Sequence, residues 1–399
     1  MAGRLADLLR EFFRRGDMLL LSLCTASSIF GLFLVYSATR YDPALHADPI
    51  KQAVFLVLGI VCYVIFTMVD VEYILEENWK FLFFGGLLFL FLLIPFGVEG
   101  DTGNRSWMYF PGLPVGIQPA ELVKIPFVLI LARIMDKNRE SGLSRPSSIF
   151  LLAGYTILFA GLIAVLSGDY GMVLVYLLLF LILAWTSGVH RLWFLLAGGL
   201  GSGGLALLYF LLWDKLKNVY FIRRVVVIFD HLTGNPDTLT EQTQGIGWQQ
   251  SRSLLAIGSG QLTGQGFLKG NLTQSPYETS LPARHTDEIF AVCGEEFGLL
   301  GCVLLLSLLT AIILRCFWVA RRSRSYLSAY IATGFAAMLL IQTVINIAMC
   351  LYVFPVVGLT LPFFSYGGSS TLTLYIAMGI ISGIRMRFLP SWLRDRSNL

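Results

Sequence analysis

The sequence predicts an all-α, polytopic integral membrane protein of about ten transmembrane helices with one large extracytoplasmic loop between helices 7 and 8. Three observations carry that prediction. Hydrophobic residues make up 56% of the 399-residue chain, and mean hydropathy is +0.72. Charged residues reach only 14%, against about 25% in a soluble protein. Apolar runs of about 20 residues, enough to cross a bilayer, recur along the sequence.

The chain opens with MAGRLADLLREFFRRG. Leu5, Leu8, Leu9, Phe12 and Phe13 share one helical face and Arg4, Arg10, Arg14 and Arg15 lie elsewhere, the pattern of a short cytoplasmic surface helix over 1–16. A basic start before an apolar run also resembles a signal peptide. The run from Met18 to Val35 is longer than the roughly 7–15 residues of a signal h-region, so it reads as an uncleaved first span. The spans are expected at 18–38, 53–69, 79–97, 119–136, 148–167, 169–187, 191–213, 287–320, 327–352 and 369–388. Together they form a single transmembrane domain over 1–399.

Basic residues set the orientation. They cluster before span one, after span four (Arg133, Lys137, Arg139, Arg145), after span eight (Arg321, Arg322, Arg324) and after span ten (Arg385, Arg387, Arg394, Arg396). Opposite-side short connections hold only Arg40, Lys51 and Arg105. Both termini are therefore expected in the cytoplasm, as an even span count requires. The hydrophilic stretch 214–286 then lies outside. Its segments 219–230 and 248–258 are amphipathic, and Asn235-Pro236-Asp237 between them reads as a linker.

Composition excludes several classes. A net charge of +4, with basic residues placed by membrane sidedness, argues against a nucleic-acid partner. The six cysteines lack CxxC spacing and the four histidines do not cluster, so neither a disulfide framework nor a zinc site is expected.

Four stretches carry candidate chemistry. LPARHTDEIFAVCGEEFGLLG (281–301) places Asp287, Glu288, Glu295 and Glu296 at or inside a membrane helix. Carboxylates are costly there, roughly 2.5–3.5 kcal/mol each at mid-bilayer. Helix capping accounts for one acid at the helix start and leaves Glu295 and Glu296 unexplained. In QPAELVK (118–124), Glu121 and Lys124 share a helical face: either they neutralise each other, or Lys124 offers a point charge to a phosphate. The glycines of the outer loop read as tight turns, with a weaker anion-nest reading around Gly258-Ser259-Gly260. In GLTLPFFSYGGSS (358–370), Pro, Gly and Ser break the helix, and non-helical backbone at membrane depth survives only when buried in protein or lining a wet cavity. Asp169 is a helix cap or a second wall of that cavity.

HTDEIFAVCGEE with GLLG, IQPAELVK, QQSRSLLAIGSGQLTGQGF (249–267) and PVVGLTLPFFSYGGSS (355–370) resemble the SEDS family of RodA, FtsW and SpoVE, and PVVGL and VYSAT are more similar to RodA than to FtsW. The resemblance implies a peptidoglycan glycosyltransferase of the bacterial inner membrane. It would polymerise lipid II in cell-wall elongation and work with a class B penicillin-binding protein, a transpeptidase, docked on helices 8–9. It also implies a catalytic aspartate at Asp287. Arg105 and Trp107 resemble the family's Arg-Trp, and Glu121 and Lys124 its Gln-Pro-x-Glu-x-x-Lys. Two departures stand out: Glu288 replaces an apolar residue, and Ser167-Gly168-Asp169-Tyr170-Gly171 replaces Gln-Pro-Asp-Leu-Gly.

The expected mechanism makes Asp287 the base for an acceptor hydroxyl, with Arg105, Lys124, Arg223 and Arg224 near the pyrophosphate. Glu121, His285 and Ser365 complete the expected substrate-binding set. A divalent cation, Mg or Mn, held through Asp287 is optional, because the sequence has no dedicated oxygen cage. A lipid II flippase or transporter is the rival reading, since such proteins also use broken helices and intramembrane acids. An FtsW-like division polymerase is the second alternative.

Overall fold

The computed structural model describes residues 10–99, 104–109, 116–216, 220–234 and 238–387. The Asn235-Pro236-Asp237 linker, Arg4, Arg394 and Arg396 lie outside them. Helices occupy every expected span: α1 (Met18–Thr39), α2 (Asp48–Met68), α3 (Trp79–Phe91), α4 (Lys124–Arg139), α5 (Pro146–Ser167), α6 (Tyr170–Thr186) and α7 (Arg191–Leu216). The 214–286 loop contributes α8 (Tyr220–Thr233) and α9 (Trp248–Ser259), and α10 (Ile289–Arg322), α11 (Tyr326–Cys350) and α12 (Gly368–Met386) complete the bundle. Six helical segments, those containing α1, α2, α3, α5, α10 and α11, are long and apolar enough to span a membrane by length and composition. The chain is an all-α, multi-pass membrane protein. Of the segment 1–16, residues 10–15 are helical, and Phe12 is buried with its ring edge-on to Tyr63.

Helix α11 is the axis, packing against α4, α6, α9, α10 and α12, and is the most buried of the apolar spans. Helix α12 packs along α2 through Gly379 and Gly383, spaced i,i+4, where an added Cβ would meet the backbone oxygens of Tyr63 and Thr67. Small residues let backbones approach where lipid tails give no hydrophobic drive to associate. At the end opposite Asp287, buried Asp17 accepts from Arg315 Nε at 2.9 Å and caps α1 through Leu20 N at 3.1 Å.

Helix α10 has 34 residues, about 51 Å at 1.5 Å per residue, and so exceeds a ~30 Å hydrocarbon core. It breaks at Gly298, whose φ of 64° is left-handed. The 214–286 loop replaces the bonds lost at the break. Gln261 and Leu262 carbonyls accept from Leu299 N (2.9 Å) and Leu300 N (3.1 Å), while Gln265 N and Gly266 N donate to the carbonyls of Glu295 (2.9 Å) and Glu296 (3.0 Å). Gly264 is required at this crossing: its φ is +81°, and an added Cβ would lie 2.2 Å from the Glu296 carbonyl oxygen. Gly260 likewise approaches the Gly294 carbonyl. Residues 260–263 form the turns read from sequence, and Gly260 and Gly264 add close backbone contact with α10.

The same crossing explains two of the intramembrane acids. Glu295 accepts from Leu272 N (2.7 Å), Thr273 N (2.8 Å) and Thr273 Oγ1 (2.6 Å). Glu296 accepts from Ser37 Oγ (2.6 Å) and Gln274 Nε2 (3.0 Å). Both carboxylates are buried and pin the 214–286 loop to α10 and α1. Arg284, also buried, gathers the carbonyls of Leu281, Leu272, Thr273, Ser275 and Tyr277, and its guanidinium lies 3.6 Å from the centre of the Tyr41 ring. Guanidinium, with five donors, is suited to such a hub.

Candidate active site

Where α10 begins, the chain makes a turn at 283–288. Ala283, at φ 47°, receives the N–H groups of Thr286 and Glu288, both at 3.1 Å. Glu288 holds the N-cap position without a side-chain capping bond. The capping reading therefore fails for Asp287, whose carboxylate makes no hydrogen bond among the described residues and faces a cavity of about 590 Å³. Three anchors fix its backbone. Asn346 of α11 donates to the Asp287 carbonyl (2.8 Å) and to the Leu359 carbonyl (2.7 Å). Ser365 Oγ donates to the Thr286 carbonyl (2.5 Å), and Tyr366 N to the His285 carbonyl (2.9 Å).

The opposite wall is the non-helical run before α12. Val357, Gly358, Thr360, Tyr366, Gly367 and Gly368 line the cavity, so the broken backbone does border a cavity, as its composition predicts. Gly358, at φ 68°, brings the chain beside the carboxylate: an added Cβ would lie 3.9 Å from Asp287 Oδ2.

Acidic groups dominate the lining. Asp48, Glu121 and Asp169 join Asp287 there, with Lys51 and His285 as the basic side chains. Asp169 fills both roles expected of it: it caps α6 through Met172 N (2.9 Å), accepts from Gln118 Nε2 (2.9 Å) and borders the cavity. Burial, reinforced by the neighbouring Glu288 carboxylate and then by Asp169, pushes Asp287 up to about 7, with Arg224 opposing the rise. Glu288, fully buried, accepts from Gln249 Nε2 of α9 at 3.2 Å and is itself raised by burial.

The other expected site residues divide. His285, Glu121 and Asp287 line the cavity, and Arg224 acts on Asp287 while donating to the Val356 carbonyl. Arg224 and four others do not line it. Lys124 is fully buried behind Glu121, its Nζ 2.6 Å from Oε2 in a contact poorly aligned for a hydrogen bond. Ser365 is buried and joins two chain segments. Arg223 points to Glu241 at 3.2 Å, on the exposed side of α8, because adjacent helical residues diverge by about 100°. Arg105 sits near the mouth, paired with Glu99 at 3.4 Å, while its neighbours Asn104, Ser106 and Trp107 line the cavity.

Sequence reasoning passed over Asp48 and Lys51, paired at 2.8 Å on the first turn of α2. Their i,i+3 spacing is that of Glu121 and Lys124, so a signal was there to be read. For a metal, no three His, Cys, Asp or Glu side chains converge among the described residues.

The family model described as "Cell cycle protein", covering FtsW, RodA and SpoVE, matches residues 17–388. The chain is similar to the probable peptidoglycan glycosyltransferase FtsW of Trichlorobacter lovleyi, 30% identical over 95% of this chain and 96% of that one. It is similar to the peptidoglycan glycosyltransferase MrdB of Escherichia coli K12, 31% identical over 92% and 93% respectively. Among solved structures, a chain of a peptidoglycan synthase complex described as coordinating polymerization and crosslinking aligns with TM-score 0.73, at 28% identity over 96% of this chain and 98% of that one. Thermus thermophilus RodA aligns with TM-score 0.65, at 27% identity over 93% and 96%. With nearly the whole chain matched, and with the broken helices and the cavity carboxylate lying inside the matched residues, this protein belongs to the FtsW/RodA/SpoVE family.

Proposed function

We propose that this chain is a peptidoglycan glycosyltransferase that polymerises lipid II into glycan strands, with Asp287 as the base. One observation carries the assignment of the base: a carboxylate without a hydrogen-bond partner among the described residues, held at a cavity wall by its backbone and raised to about 7. A general base works best with a pKa near the operating pH. Asp287 takes the proton of the acceptor sugar hydroxyl as its oxygen bonds to the donor's anomeric carbon and the bond to the lipid pyrophosphate breaks. The departing pyrophosphate needs positive charge. Arg224 beside Asp287, Lys51 in the cavity and Arg105 near its mouth supply it, and Lys124 acts through Glu121.

If a divalent cation, Mg or Mn, takes part, Asp287 is the residue that would hold it. The charge it brings would help the leaving group. The flippase reading loses support from the position of Asp287, ahead of the first residue of α10 rather than at mid-span.

The chain resides in the bacterial inner membrane with both termini in the cytoplasm, and the cavity opens on the outer side. A class B transpeptidase docks its transmembrane helix on spans eight and nine, where Leu300 and Leu304 of α10 and Val344 of α11 are exposed. The role is elongation, supported by the RodA-like motifs. Loss of the chain from its own cell should round the cells, whereas filaments with blocked septa would assign it to division. Asp287→Asn should lower polymerisation by about 10²–10⁴-fold; full activity in that variant would end the base assignment.

A further inference from the structure

A second cavity, of about 690 Å³, lies between α3, α4 and α5 at the end of the bundle opposite Asp287. Lys124 and Lys137 lie 13 residues apart along α4, about 20 Å at helical rise, which separates this groove from the catalytic cavity. Its walls are hydrocarbon and aromatic: Phe83 and Phe84 of α3, Ile134 of α4, Leu151 and Leu158 of α5. Its rim is cationic. Lys80 and Lys137 form no ion pair or hydrogen bond among the described residues, and Arg133 donates only Nε, to the Leu75 carbonyl at 2.7 Å. The Arg133 guanidinium lies 4.6 Å from the centre of the Trp79 ring, and Glu76 is near enough to act on it without forming an ion pair. Gly154 lines the groove, and a Cβ built there meets no atom within 4 Å.

We propose that this groove binds an anionic phospholipid from the leaflet opposite the catalytic cavity, its acyl chain lying along the aromatic wall and its phosphate between Lys80 and Lys137. Lysines that only obeyed membrane sidedness would need no groove beneath them. Here they stand over an apolar slot open to lipid, the arrangement of basic pockets between helices that take anionic head groups. Head-group charge and chain burial act on different residues and can be tested separately. The inference stands independently of the polymerase reading.

The test is native mass spectrometry of the detergent-purified protein titrated with phosphatidylglycerol or phosphatidylcholine of matched chains. Wild type should prefer phosphatidylglycerol. At roughly fivefold per lysine, Lys80→Gln with Lys137→Gln should reduce that preference about 25-fold and leave phosphatidylcholine binding unchanged. Gly154→Leu, which fills the slot, should weaken both lipids; if it elutes as aggregate, Leu151→Trp fills the same space from a lipid-exposed position. Equal retention of both lipids by wild type, or no response to either kind of variant, would overturn the proposal. So would loss of transpeptidase binding in Gly154→Leu with lipid retention intact, which would give the groove to a partner helix.

Discussion

Replacing Lys124 by Met asks whether Glu121 and Lys124 act as one buried unit. Their charged atoms are 2.6 Å apart, with side-chain exposures of 0% for Lys124 and 4% for Glu121. At an effective dielectric of about 20, that separation gives an attraction of about 6 kcal/mol. Desolvation of two ions offsets much of this, so the net worth of the pair is small. Breaking it is another matter. Lys124→Met leaves a buried carboxylate and Glu121→Gln a buried ammonium, and each should destabilise by about 3–5 kcal/mol. The double variant, Glu121→Gln with Lys124→Met, removes both charges and should recover most of that loss. Denaturant unfolding in detergent measures all four corners of the cycle, with an expected coupling of about 5 kcal/mol or more. Single variants as stable as wild type, with additive effects in the double, would refute the pairing. Lys124 would then be free to meet substrate, and a raised KM for lipid II would reveal it.

Other expectations follow from the same geometry. Asp287 works as a base only when ionised, so with its pKa near 7, kcat/KM should rise about tenfold per pH unit below 7 and level off above it. Glu288→Gln removes a like charge and should move that rise to lower pH; an unmoved profile would show that Glu288 does not act on Asp287. Glu295→Ala strips the acceptor from three hydrogen bonds and should cost about 3 kcal/mol or more, with proteolysis entering first at 260–275; an unchanged cleavage pattern would deny the clamp. For orientation, Leu255→Cys on the exposed face of α9 should react with an impermeant maleimide from outside the cell, whereas reaction only from the cytoplasm would invert the topology. Gln250 is unsuitable as a label site, being buried with Nε2 on the Met349 and Phe354 carbonyls.

The span positions were legible because length and hydropathy act locally. The 287–320 run corresponds to α10 at Ile289–Arg322, and 369–388 to α12 at Gly368–Met386. The break before α12 and its place on a cavity wall were legible too, since Pro and Gly at membrane depth leave backbone groups that need a polar setting. Convergence was not legible. Asn346 reads as one polar residue in an apolar helix, yet it holds both the Asp287 and Leu359 carbonyls. Arg284 reads as a loop charge and is a buried hub. Glu295 and Glu296 looked functional because the energetic argument ranks all intramembrane acids alike. Their partners, Thr273, Gln274 and Ser37, lie 22 to 259 residues away in sequence.

The central claim is tested most directly by glycan-chain formation from purified lipid II, comparing wild type with Asp287→Ala, each with and without a cognate class B transpeptidase. The account predicts polymer from folded wild type in at least one partner condition and none from the variant in either. Polymer from Asp287→Ala at the wild-type rate would remove Asp287 from the chemistry. Folded wild type that makes no polymer in any condition, while carrying lipid II between leaflets, would contradict the polymerase reading itself.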